Sequence, residues 1–335
     1  MQKICRSKEI SKIIQRPPKI YLDANHLINI VRVRKGETLP QGQSADEYRC
    51  IEKYLRSYCG LIFNLSAALE WVEGRATAES AREIAAVVDS AKLKYILEAD
   101  YLVYTREALD QCRDQNPNIR VPDFPVLQNL SDSSTLSSAL GILISQVPDY
   151  LEDNRRAQVE ERMPFPTKVP VFSAQQWAEN TLNWKQKNPE TFQKRIDGFR
   201  DSLSEDIEKR AEYFSDCQSY QKGWMKGFLK IDRILRAFNP LIDIDGVLDG
   251  IDATECSAVN LYWKVREKRM KSGNRPQDND VDDYMSLPVV PYGDIVLTER
   301  NLRTFILQAD KNLGSKVFHN VTDALDALDR QGFAW

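Results

Sequence analysis

Four short apolar runs each end at a polar residue and hand over to a helical pattern: "KIYLD" (19–23), "GLIFNLS" (60–66), "DIVLT" (294–298) and "SKVFHN" (315–320). Runs of this length between polar breaks read as buried strands, because a helix needs ten or more residues of continuous periodicity. A short helical segment (26–34) follows the first run. A helix with apolar spacing at Ile51, Tyr54, Leu55 and Tyr58 precedes the second, with Ser44 or Asp46 at its start. Ser66 is placed to cap "AALEWVEG", which Gly74 would stop, and Thr77 to cap a longer helix through "AREIAAVVDSA". "NLRTFILQAD" follows the third run and "VTDALDAL" the last. Strand and helix in alternation imply an α/β fold, a parallel sheet sandwiched by helices.

The middle of the chain breaks the alternation. Residues from about Arg113 to Pro125 are polar and carry prolines, and from about Ser131 to Ala237 amphipathic helices with i,i+4 charge pairs dominate. The expected organisation is an N-terminal extension (1–18), a first α/β half (19–112), a large and mainly helical insertion (113–254) and a second α/β half (255–335). No internal repeat or low-complexity tract interrupts it.

Composition narrows the chemistry. The 335 residues are 42% hydrophobic, enough for one large domain or two modest ones. The net charge of −3 gives no overall basic bias, so nucleic acid would have to meet a local patch. Six scattered cysteines without CxxC spacing and two histidines, His26 and His319, argue against a zinc site and a disulfide framework. The expectation is a reduced, cytoplasmic protein with no membrane partner, since no apolar run approaches the roughly 20 residues that span a bilayer. The basic N-terminus lacks the apolar stretch of a signal peptide.

The acids fall at strand and helix ends. Asp23 and Glu299 follow strand-like runs, Glu70 lies just after the second run, and Asp280, Asp282 and Asp283 crowd the start of "DNDVDDYM". Ligands of open α/β sheets bind outside the carboxyl ends of the strands. Carboxylates gathered there without matching bases repel one another, and a hard divalent cation with oxygen ligands relieves this. Taken singly, each acid has a plainer reading: Asp23 as a helix cap, Glu70 as a solvated helix residue, the 278–283 acids as a helix-start charge cluster.

Three segments together carry a family resemblance. "YLDANHLI" resembles the first motif of PIN-domain nucleases, and "NLSAALEWVEG" is similar to the second, with its helix Glu. "NDVDDYMSLPVVPYGDIVLTERNL" resembles the third and fourth motifs of a PIN-like branch. The resemblance covers roughly 19–110 and 255–335. It implies Asp23, Glu70, Asp283 and Glu299 as catalytic acids, with Asp23, Asp283 and Glu299 as ligands of Mg²⁺ or Mn²⁺. It also implies Thr298 as a supporting hydroxyl and Asn25 as a polar group beside the ligands. Asp280 is an alternative to Asp283, and Asp294 to Glu299, because Arg300 stands where the fourth motif often has a further acid. The implied activity is divalent-metal-dependent hydrolysis of RNA phosphodiesters, with DNA not excluded. A toxin or defence role and an inhibitor or regulator protein as partner fit by analogy. The other reading is a PIN-like protein without catalysis that binds RNA or acts as a scaffold.

Two further stretches bear on that choice. "YWKVREKRMKSGNRP" (262–276) precedes the third motif and carries Lys264, Arg266, Lys268, Arg269 and Lys271, a candidate RNA-phosphate track, with Tyr262 and Trp263 able to stack on bases or to pack inward. "LIDIDGVLDG" (241–250) imitates the nucleophile loop of haloacid-dehalogenase-type phosphatases, with Asp243 as nucleophile and Asp245 as acid/base. Too little chain follows for that fold, and an acidic turn between helices is expected instead.

Overall fold

Strands of two or three residues can form a sheet only if both faces are buried, and both are. The computed structural model describes residues 18–58, 60–73, 77–91, 93–130, 139–147, 173–273 and 279–331. It contains β1 (Ile20–Leu22), β2 (Ile62–Asn64), β3 (Tyr95–Leu97), β4 (Leu127–Asn129), β5 (Ile295–Leu297) and β6 (Val317–Phe318). β1, β5 and β6 pair in parallel in the order β1-β5-β6, with Leu22, Leu297 and Phe318 in register. β2 and β3 pair in parallel and β4 runs antiparallel to β3. A parallel bridge between Ile20 and Leu61 joins the two sets, so the strands run in the order β4-β3-β2-β1-β5-β6.

Side chains alternate across this sheet as the two-residue period requires. Tyr21, Ile62, Tyr95, Leu97, Val296 and Val317 enter one apolar cluster, and Ile20, Leu22, Phe63, Ile96, Leu297 and Phe318 the other. Burial on both faces is why the strands are continuous apolar runs and not alternating ones. The helices Ala24–Lys35, Ala45–Tyr58, Ala78–Ser90 and Val321–Arg330 cover the second cluster. The first is covered by Asp100–Gln115 and Ser257–Ser272 together with the helical middle of the chain. Leu203, Met225, Ile231, Ile234 and Leu235 from that middle share the core with Tyr262 and Trp263. The protein is thus a helix-rich α/β protein. Among the described residues no helix is long and apolar enough to cross a membrane.

Several sequence expectations are corrected. β3 and β4 are absent from the sequence reading, which named no strand between 67 and 112 and placed a polar connection and then helices after residue 113. Ser66 precedes a single 3-10 turn (Ala67–Leu69) and makes no cap bond with its side chain. The capping is done by Asn64, whose Oδ1 accepts from Ser66 N at 2.8 Å and Ala67 N at 3.1 Å. Ser66 Oγ turns instead to Asp100, at 2.9 Å. "DIDGVLDG" is not a turn: Asp243 caps a helix, Ile244–Gly250, by accepting from Gly246 N at 3.1 Å. Gly74 and nearly all of the N-terminal extension lie outside the described residues.

Candidate active site

The carboxyl ends of β1 and β5 are tied together. Asp23 N donates to Leu297 O at 3.0 Å, extending the ladder one residue past β1. Its backbone is extended (φ −69°, ψ 171°) and its Oδ1 accepts from His26 N at 3.2 Å, which caps the helix Ala24–Lys35. Asp23 therefore is a helix cap, as its plainer reading held, but that bond occupies one carboxylate oxygen. On the neighbouring strand, Thr298 is buried and its N donates to Phe318 O at 2.9 Å. Glu299 follows at the cap position of the helix Arg300–Ala309, yet its side chain makes no cap bond. It accepts instead from Asn25 Nδ2, so a polar contact spans the two strand ends.

The third-motif acids arrive from the helix Asn279–Ser286. Asn64, the last residue of β2, is buried and donates from Nδ2 to Met285 O at 3.3 Å, pinning that helix to the carboxyl edge of the sheet. Asp280 is buried and Asp283 nearly so. Both pair with Arg269 from the preceding helix, Asp283 Oδ2 at 2.8 Å. The guanidinium of Arg269 also lies 5.4 Å from the ring centroid of Tyr284 and 4.9 Å from that of Phe305, while its Nε is buried with no hydrogen-bond partner.

Electrostatics link these groups. Burial raises the Asp283 carboxyl to about 7; Arg269 opposes this, and Glu299, Asp280 and Asp23 reinforce it. Burial outweighs the arginine here, and the neighbouring acids add to it. Glu299 is also raised, first by desolvation and then by Asp23, with Asn25 and His26 acting against. Asp23, Asp280, Asp283 and Glu299 thus share one electrostatic neighbourhood. The donor chemistry suits a hard divalent cation. In the described arrangement, however, Arg269 supplies the cationic partner of Asp280 and Asp283, and among the described residues no three His, Cys, Asp or Glu side chains are gathered closely enough to hold a metal ion.

Two other candidates remain. Glu70 opens the short helix Glu70–Glu73 and is half-buried. Asp294 is at the wrong end of β5. It accepts from Lys19 N at 2.7 Å, before β1, and is on the order of 15 Å from Glu299 at the rise of extended chain.

The basic stretch is corrected most. Arg266 is buried, bonded to Tyr262 Oη and to Ser202 Oγ at 3.0 Å, with its guanidinium 5.4 Å from the ring centroids of both Tyr262 and Trp263. Those two aromatics pack inward with Trp224. Lys264 pairs with Asp310 at 3.5 Å, Lys271 pairs with Glu267, and Arg269 holds the acids. Lys268, the remaining one of the five, is half-buried. The stretch is no continuous phosphate track.

The "LIDIDGVLDG" acids are likewise engaged in surface pairs, Asp245 with Lys226 and Asp249 with Lys222. Comparison of the chain with family models, curated proteins and solved structures gives no match. Sequence reasoning missed Asn64, and it named Arg269 for a phosphate track and not as the partner of the acids. Asn64 was legible in principle, as a polar residue at the end of an apolar strand where a helical turn begins. Arg269 was not, because nothing in its spacing separates it from its solvated neighbours.

Proposed function

We propose that the protein is a PIN-like, divalent-metal-dependent nuclease acting on RNA. The observation that supports this reading is that Asp23 and Glu299, at the carboxyl ends of β1 and β5, lie within electrostatic reach of Asp283 on a third segment, at the edge where ligands of such sheets bind. Asp23, Asp283 and Glu299 would hold Mg²⁺ or Mn²⁺, with Asp280 beside them. When bound, the cation supplies Lewis-acid charge to the phosphodiester and its attacking water. The Asn25 hydrogen bond to Glu299 and the cap bond from His26 N to Asp23 each use one carboxylate oxygen, and the other oxygen of each would serve as a ligand. Asn64 sets the distance between the third-motif helix and the strand ends. Glu299, whose affinity for protons is raised by burial and by Asp23, would accept one from the attacking water.

A second reading has its own observation. The pairing of Arg269 with Asp280 and Asp283 can itself be the resting balance of charge, as in a PIN-like protein that binds RNA without cutting it. An RNA cleavage assay with Mg²⁺ or Mn²⁺, with and without chelator, on wild type and Asp23→Asn separates the two. Cleavage that needs metal and is lost in the variant supports the nuclease. Binding without cleavage supports the second reading.

A further inference from the structure

Besides Arg269, which pairs with Asp280 and Asp283, a second group of basic residues lies at this edge, on a helix whose sequence does not advertise it. β6 pairs with β5 through Leu297 and Phe318, so His319 leaves β6 beside Thr298 and Glu299, one strand spacing of about 4.8 Å away. The helix Arg300–Ala309 starts at this same edge. Arg303, in its first turn, donates Nε to Val317 O at 2.9 Å. That bond uses one of the five N–H donors of the guanidinium and fixes the rest at the end of β6. Arg300 is exposed, and among the described residues neither arginine is in an ion pair. His319 Nδ1 is buried without a hydrogen-bond partner. Burial first, and then Arg303, Arg300 and His26, disfavour the cationic form of His319, while Asp323 opposes them, so both arginines lie within electrostatic reach of this ring. The N–H groups that open Arg300–Ala309 add to their positive charge, since Glu299 leaves them without a side-chain cap.

We infer that Arg300, Arg303 and His319 form a subsite for one phosphodiester of a single nucleic-acid strand, next to the acids that would cut it. Placing it beside a cutting site rests on the nuclease reading above. A guanidinium fork matches two phosphate oxygens. A diester fits better than a free phosphate, because a dianion would face stronger repulsion from Asp23, Asp283 and Glu299. The contact is with backbone, so it carries no base preference.

The test is fluorescence anisotropy of short labelled single-stranded RNA and DNA of matched sequence, in EDTA across a salt series. Arg300→Gln is the first variant, being exposed; Arg300→Gln/His319→Gln and Arg303→Lys follow, with thermal melts as the folding control. Arg300→Gln is expected to weaken both strands roughly threefold to tenfold and to lower the log–log salt slope by about one. The double variant should lose more, and Arg303→Lys should weaken binding although its charge is kept. Binding by Arg300→Gln and the double variant equal to wild type overturns the inference, as does a wild type that binds neither strand at low salt. Cleavage with Mn²⁺ is scored separately. Strand binding that needs Arg300 without any cleavage removes the nuclease reading and keeps the subsite. Cleavage that needs Asp23 with unchanged binding and KM in Arg300→Gln does the reverse.

Discussion

The two edges of the sheet hold similar charges and treat them differently. At the amino edge, Asp294 accepts from Lys19 N at 2.7 Å and lies in the open, with Lys316 close enough to feel its charge. At the carboxyl edge, Asp280 and Asp283 share the Arg269 guanidinium, Asp23 and Glu299 lie within electrostatic reach of Asp283, and burial above all holds Asp283 far above the usual carboxylate range. Two exposed acids five residues apart on the same segment, Asp294 and Glu299, thus meet different partners, a backbone N–H before β1 for one and the Asn25 amide beside Asp23 for the other. A carboxylate whose demand is met locally does structural work. Carboxylates packed against one another leave a demand for positive charge that only an outside cation or a displaceable arginine can meet.

The largest effect expected from breaking this contrast is on catalysis. Asp23→Asn should lower metal-dependent RNA cleavage at least a hundredfold. Its melting temperature in EDTA should match or exceed that of wild type, because Asn caps a helix as well as Asp does and one repelling charge is gone. A markedly lower melting temperature would make Asp23 structural only.

Arg269→Gln ranks next. It strips the buried acids of their counter-charge, and removing one partner of a buried pair costs about 3–5 kcal/mol. Urea unfolding at neutral pH should register that loss, and Mn²⁺ should recover more stability in this variant than in wild type. Equal metal responses in the two proteins would mean that the arginine and the cation do not compete for one place.

How much of this was legible depends on the range of the interaction. Four strands, β1, β2, β5 and β6, read directly, because burial on both faces leaves a continuous apolar run. The caps at Asp23 and Thr77 also read directly, since a cap is a contact between residues three apart. β3 hides because only "YIL" is apolar between polar neighbours, and β4 because Gln128 sits at its centre, buried against Glu98 at 2.6 Å. The acids could be assigned to the sheet edge from strand polarity alone. Their arginine could not: Arg269 and Lys268 are adjacent and look alike, and tertiary packing decides which of them turns inward. Arg266 misled for the same reason, its charge suggesting solvent while the Tyr262 and Trp263 faces took it into the core.

A smaller effect sharpens the contrast through pH. The Asp283 carboxyl sits near 7 in the fold and in the ordinary range near 4 in the unfolded chain. Between those values the folded state keeps the proton that the unfolded state loses, so stability in EDTA should fall as pH rises through this window and level off above it. Asp283→Asn should remove that dependence, and the gap between the two proteins should widen by a few kcal/mol from pH 4 to 7. Urea unfolding of both across the range measures it, and parallel curves would contradict the assignment. Asp294→Asn is the smallest change. Asn still accepts from Lys19 N, so stability should stay within about 1 kcal/mol and cleavage should not move.

The most direct test of the difference between the edges is Mn²⁺ binding, followed by electron paramagnetic resonance, in wild type, Asp283→Asn and Asp294→Asn. The account predicts saturable binding by wild type and Asp294→Asn, lost or weakened at least tenfold in Asp283→Asn. Binding that survives Asp283→Asn unchanged, or that depends on Asp294, would contradict it.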